Sequence, residues 1–171
     1  MCNLYSHTRN VEAIRKLFAK FNDAGVNVPL LPGIFPDYAA PIVRNDEGGP
    51  RLAMTRWGMP SSKKALLDAA TKRADKLRAK GKEVDFDQLL RMEPDGGTTN
   101  IRNTSSQHWK RWLGVQNHCV VPFTRFAEPD PASKIEGGRT PNAWFASTGD
   151  DPLMFFAGLW VRDWTSVRKV K

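Results

Sequence analysis

The chain has 171 residues, 40% of them hydrophobic and 26% charged, with a net charge of +8. That length suits one domain with a substantial core, and the composition excludes a disordered chain. No apolar run approaches the roughly 20 residues that a membrane span requires.

The opening MCNLYSHTRN lacks the basic-then-apolar pattern of a secretory signal, so a cytoplasmic location and no membrane partner are expected. The basic balance favours partners with phosphate backbones or acidic surfaces. Two cysteines, Cys2 and Cys119, are too few for a disulfide scaffold. They form no CxxC, and His7, His108 and His118 do not cluster, so neither a metal nor a cofactor is expected.

Residues 2–7 read as a short strand. A helix is expected from Asn10 to Asp23, capped by Asn10, with Glu12 in its first turn. Val11, Ile14, Leu17, Phe18 and Phe21 form its apolar stripe. Pro29 to Pro41 holds four prolines and one glycine and reads as an ordered, irregular loop without a central strand. Pro41–Arg44 and Arg51–Trp57 form a strand pair around a turn at 45–49. A basic helix is expected over Ser62–Lys80, with Leu66, Leu67, Ala70, Ala74 and Leu77 on its apolar face. A shorter helix follows over Asp85–Met92, so residues 61–99 read as an inserted helical arm. Cys119–Phe126 reads as one apolar strand, residues 130–141 as a polar loop, and Asn142–Ala146 and Leu153–Val161 as two further strands.

Four places could carry chemistry. Cys2 follows the initiator methionine and is small enough to be exposed by its removal. A terminal cysteine combines a thiol with an α-amine whose pKa is roughly 7.7–8.0, low enough to be partly neutral. A neutral amine condenses with an aldehyde to a Schiff base, and the thiol then closes a thiazolidine ring. In TNIRNTSS, residues 98–105, Asn100 and Asn103 are hydrogen-bonding amides and Arg102 suits a phosphate. Glu128 ends an apolar strand, where a carboxyl often has a raised pKa and moves protons. Arg56 and Trp57 set a cation beside an indole that can stack an unpaired base. Taken singly, each has a plainer reading: a tolerated small residue, a polar turn, a strand-end glutamate, a core tryptophan. Trp109, Trp112, Trp144, Trp160 and Trp164 are mostly expected to pack inside, and the basic face of 63–80 to be solvated.

The order and spacing of these segments are more specific than any one of them. Met1-Cys2-Asn3, then RWGMP, then Asn100-Ile101-Arg102, then a cysteine-led strand with Glu128 nine residues on, then FAGLW, together resemble the SOS response-associated peptidase family over nearly the whole chain. The resemblance implies one α+β domain over 1–171, with a curved, mainly antiparallel sheet in a barrel-like core flanked by helices. It implies that the chain removes Met1 itself, and that Cys2 then crosslinks to the aldehyde of an abasic site in single-stranded DNA as a thiazolidine. By motif position Cys2 would be the nucleophile, Asn100 would hold its amine or thiol, and Glu128 would be the acid/base. Arg102 would grip a phosphate, while Trp57 and Pro36 would line the DNA cleft. A monomer is expected.

Three departures stand out. Many members begin Cys-Gly-Arg, where this chain has Asn3-Leu4. The 61–99 arm is longer than in compact members. The family's histidine motif, downstream of the Gly-Leu-Trp strand, has no counterpart before Lys171. The C-terminal part of the family domain is therefore expected to be missing, Trp160 and its neighbours to be left partly uncovered, and stability to be marginal. Loss of that histidine should slow the proton transfers by roughly 10²–10⁴-fold and leave slow crosslinking. Two other readings remain at this point: a non-catalytic single-stranded nucleic-acid-binding remnant, and a cysteine hydrolase acting on proteins.

Overall fold

The computed structural model describes residues 3–18 and 25–168. In chain order its elements are β1 (Leu4–His7), α1 (Val11–Arg15), β2 (Leu31–Ile34), β3 (Ala39–Asp46) and β4 (Gly49–Arg56). There follow α2 (Lys63–Arg78), α3 (Phe86–Arg91), α4 (Gln107–Lys110), β5 (His118–Phe123), β6 (Arg125–Pro129), β7 (Asn142–Ala146) and β8 (Met154–Leu159). The strands form two antiparallel four-stranded sheets, ordered β2-β1-β6-β7 and β4-β3-β5-β8.

The single strand expected over Cys119–Phe126 is two strands, β5 in the second sheet and β6 in the first. The break is at Thr124, which has no exposed surface. Its amide donates to the Ser6 carbonyl at 2.8 Å, and its hydroxyl lies 3.0 Å from that of Thr8 and 3.3 Å from that of Ser6. The chain thus turns a corner between sheets where Thr124 bonds to β1 and the segment just after it. The α+β class and the mainly antiparallel pairing are as expected, with two open sheets joined at this corner and no closed barrel among the described residues.

Proline placement explains two other features. Residues 29–41 are not wholly irregular, since they contain β2 and the start of β3. β2 is an edge strand, where Pro32 costs no ladder bond. β3 is central, yet its pairing with β5 is confined to Val43↔Val120 and Arg44↔Cys119. Continuing that register would set Pro41 against Pro122, and neither has an N–H to donate. The ladder therefore ends there, and both prolines are fully buried. β3 and β4 pair throughout, closing on Glu47-Gly48 between Asp46 and Gly49.

The main core lies between the sheets. Tyr5 and Ile34 from the first meet Ala40 and Phe123 from the second, and Phe123 stacks on Phe156 at 3.8 Å. The other face of the second sheet is covered by α1, where Ile14 packs with Val28, Val43 and Leu52. Asn10 caps α1 as expected, accepting from the Ala13 amide. The helix ends at Arg15, short of the expected Asp23; the rest of that expectation, with Phe21, falls on 19–24, outside the described residues. Leu17 is exposed. Met59, Trp109 and Trp112 make a third cluster beside the end of β8.

Within 61–99, α2 and α3 begin where their caps predict. Ser62 accepts from the Ala65 amide and Asp85 from the Gln88 amide. Ala70 and Ala74 are the buried residues of α2, while Leu67 is exposed. The arm leaves and returns through a Met59↔Thr98 bridge. Beside it Gly58 and Gly97 meet so closely that a Cβ on Gly97 would lie 3.0 Å from the Gly58 Cα. Both have positive φ, so this crossing requires two glycines. Buried Glu93 pairs with Arg73 at 3.1 Å, and buried Asp95 accepts from the amides of Ser61 and Gly97. The arm is therefore pinned at its base by polar contacts.

Candidate active site

A cleft of about 1130 Å³ runs across the inner side of the second sheet. Ala40 and Ile42 of β3, Thr55 of β4, and Phe156 and Gly158 of β8 line it. Gly158 pairs with Cys119, and a Cβ there would meet the Cys119 Sγ at 2.9 Å, so a side chain would push into the sheet. Tyr5 of β1 and Phe126 and Glu128 of β6 close the cleft from the first sheet. The far wall is the segment 98–104, which follows the bridge at the base of the arm and carries Asn100 and Arg102.

Five of the seven residues singled out from the sequence line this one cleft: Arg56, Trp57, Asn100, Arg102 and Glu128. They come from β4, the segment after it, the 98–104 wall and β6, up to 72 positions apart in sequence (128 − 56). Cys2 lies outside the described residues. β1 nevertheless enters the first sheet beside Glu128, because Leu4 pairs with Ala127, the residue just before it. Pro36 is not among the lining residues. It occupies a turn in which the Tyr38 amide donates to the Phe35 carbonyl and Asp37 has φ +75°, as a type II turn with proline at its second position requires.

The two arginines differ in their surroundings. Arg56 is ion-paired with Asp37 through its Nε and donates to the Asp95 carbonyl at 3.1 Å. Arg168 joins the same clamp, 3.3 Å from the Asp37 carboxylate and 3.4 Å from the Asp95 carbonyl. This cluster, which the sequence did not reveal, fastens the 35–38 turn to the base of the arm. Arg102 is exposed and has no hydrogen-bond or ion-pair partner among the described residues, which leaves its guanidinium available to a phosphate. Trp57 is half-buried, edge-on to Tyr5 at 5.0 Å between ring centres, so it is part of the core as well as of the cleft wall. The Asn100 amide donates to the Thr99 hydroxyl at 3.0 Å.

The remaining ionisable groups narrow the chemistry. Burial pushes the Cys119 thiol up to about 12, so it stays protonated and is a poor nucleophile although it lines the cleft. His118 also lines the cleft, but its Nε2 is bonded to the Leu113 carbonyl at 3.1 Å. The Nε2 of His108 bonds to the Pro60 carbonyl. His7 is fully buried, and its imidazole is held below the usual pKa by burial. No group of three or more His, Cys, Asp or Glu side chains suited to a metal occurs among the described residues, and no helix there is long and apolar enough to cross a membrane.

The tryptophans do not all pack as expected. Trp109 and Trp112 are buried, but Trp144 is 47% and Trp164 45% exposed. Trp160 is only partly covered, with the Arg44 guanidinium 4.2 Å from its ring centre. The largest uncovered aromatic surface on a strand is on β7, an edge strand, where Phe145 stacks on Phe126 at 5.2 Å.

The family model described as SOS response associated peptidase (SRAP) matches residues 1–170. Among solved structures, a crystal structure of a protein from Bordetella bronchiseptica is similar in fold, with a TM-score of 0.50 and 23% identity. That match covers 94% of this chain and 64% of the neighbour, so the chain spans somewhat under two thirds of the neighbour's length. No curated protein matches the sequence.

Proposed function

Since this chain belongs to the SOS response-associated peptidase family, we propose that it captures abasic sites in single-stranded DNA through Cys2. The observation that carries the reading is the convergence of Asn100, Arg102 and Glu128 on one cleft, at the end of the first sheet where β1 enters. Cys2 is two residues upstream of Leu4 in the sequence, and extended chain spans at most about 3.3–3.6 Å per residue. Glu128, which follows the partner of Leu4 in β6, is taken as the carboxyl that serves the Cys2 amine and thiol.

The chemistry proceeds in two stages. Hydrolysis of the Met1–Cys2 peptide bond frees the Cys2 amine, with Glu128 delivering protons to and from water and the leaving amine. That amine then attacks the aldehyde carbon of a ring-opened abasic sugar. Glu128 protonates the departing hydroxyl, water leaves, and an imine forms. The Cys2 sulfur adds to the imine carbon and its proton passes to the nitrogen, which closes the thiazolidine. Asn100 holds the amine or thiol, and Arg102 binds a flanking phosphate. Arg56 acts by fixing the cleft wall through Asp37.

The product's mass tests this. Mass spectrometry of the adduct should give the protein without Met1 plus the oligonucleotide minus one water. Absence of any adduct from folded protein beginning at Cys2 would contradict the reading. One observation favours the remnant alternative: both His108 and His118 have their Nε2 engaged by backbone carbonyls. That alternative gives salt-sensitive DNA binding with no covalent product.

A further inference from the structure

Trp164 and Arg111 play no part in the capture chemistry, yet Trp164 lines the same cleft and Arg111 lies beside it. Trp164 lines the cleft with 45% of its surface exposed. A lone exposed tryptophan needs no explanation, but this one is mounted. Its ring meets Trp112 edge-on at 5.7 Å and 82°. Trp112 is buried and in turn contacts Trp109 at 5.9 Å and His108 at 5.2 Å. The indole is therefore braced against buried rings at a steep angle while nearly half of its surface stays open.

The Arg111 guanidinium lies 3.8 Å over Trp112 and 5.5 Å from the centre of Trp164. It makes no ion pair among the described residues; its one polar contact is with the His108 Nδ1 at 3.5 Å. Arg102, also exposed, lines the same cleft. Asp163, exposed and likewise in the lining, is the opposing charge at this end. A carboxylate there disfavours a phosphate directly beside the indole. A neutral base plane on the ring, with its phosphate toward Arg111, satisfies both groups. The net charge of +8 favours a polyanion over an acidic-poor peptide as the occupant.

We propose that Trp164, mounted on Trp112 and flanked by Arg111, is a stacking platform for an unpaired base of the DNA strand that enters the cleft, with Arg111 on the adjoining phosphate. This rests on the capture reading only in taking single-stranded DNA as the occupant. Stacking on an indole tolerates any base, so the platform adds affinity without sequence preference.

The test is fluorescence anisotropy of a labelled, undamaged single-stranded oligonucleotide with the wild-type chain and the Trp164→Ala, Trp164→Phe and Arg111→Gln variants. A parallel gel follows adduct formation by the wild type on an abasic strand. Trp164→Ala should weaken binding about tenfold, and Trp164→Phe should recover most of the loss because a phenyl ring still stacks. Arg111→Gln should lower the salt slope by about one ion. Unchanged affinity in Trp164→Ala, or a loss that Trp164→Phe does not recover, overturns the platform. If the wild type also forms adduct, the capture reading survives that result. A stacking effect in a protein that forms no adduct upholds the platform and removes the capture reading. Absence of DNA binding by the wild type overturns the platform, and removes the capture reading as well if no adduct forms.

Discussion

His7 and Cys119 are buried ionisable side chains whose protons respond to burial in opposite ways. The imidazole of His7 has no exposed surface, and neither ring nitrogen has a hydrogen-bond partner among the described residues. Burial disfavours its charged form and lowers its pKa from 6.5. The unfolded chain therefore binds a proton that the folded chain refuses. This stability is complete above about pH 6.5 and is lost as pH falls below it. The unfolding temperature should drop between pH 7 and 5, and His7→Gln should flatten part of that slope.

For Cys119 the sign reverses. The folded thiol keeps its proton up to about 12 while the unfolded one releases it near 9.0, so stability declines as pH rises between those values. At pH 8, iodoacetamide should label Cys119 only on unfolding, as peptide mass mapping would show. Arg102 is the residue on which DNA affinity should depend most simply. Arg102→Ala should weaken binding across all sequences and reduce the salt slope by about one, read by anisotropy in a salt titration.

At the scale of elements, Ser62→Ala should lower stability by about 1 kcal/mol, since it removes the acceptor for the Ala65 amide at the start of α2. Thermal unfolding would measure it. That helix and α3 were legible because capping is local: Ser62 and Asp85 stand immediately before their helices and bond three residues on. The β3–β4 hairpin was legible for the same reason. The corner at Thr124 was not. Threonine suits a strand, and its break from β5 to β6 depends on Ser6 and Thr8, more than a hundred positions away. β2 was missed because Pro32 argues against a strand unless that strand is known to be an edge. The Arg56–Asp37–Arg168 clamp joins three segments and has no local pattern at all.

For the whole molecule, the α+β class with antiparallel sheets was legible from the sequence. Residues chosen by type and order, Asn100, Arg102, Trp57 and Glu128, converge on one cleft because chemistry was read from motifs and needed no topology. Partial exposure around Trp160 was expected, but the bracing of Trp164 on Trp112 was not, since the contact joins segments about fifty positions apart. The +8 charge and the unpaired Arg102 together predict that DNA association falls steeply with salt, while an adduct once formed survives it.

The most direct measurement is a denaturing gel of the chain, with its N-terminus verified as Cys2, mixed with single-stranded DNA carrying one abasic site. The account predicts a shifted band that is absent with Cys2→Ala and slowed about 10²–10⁴-fold with Glu128→Gln. A band of equal intensity with Cys2→Ala, or no band from folded protein that begins at Cys2, would contradict it.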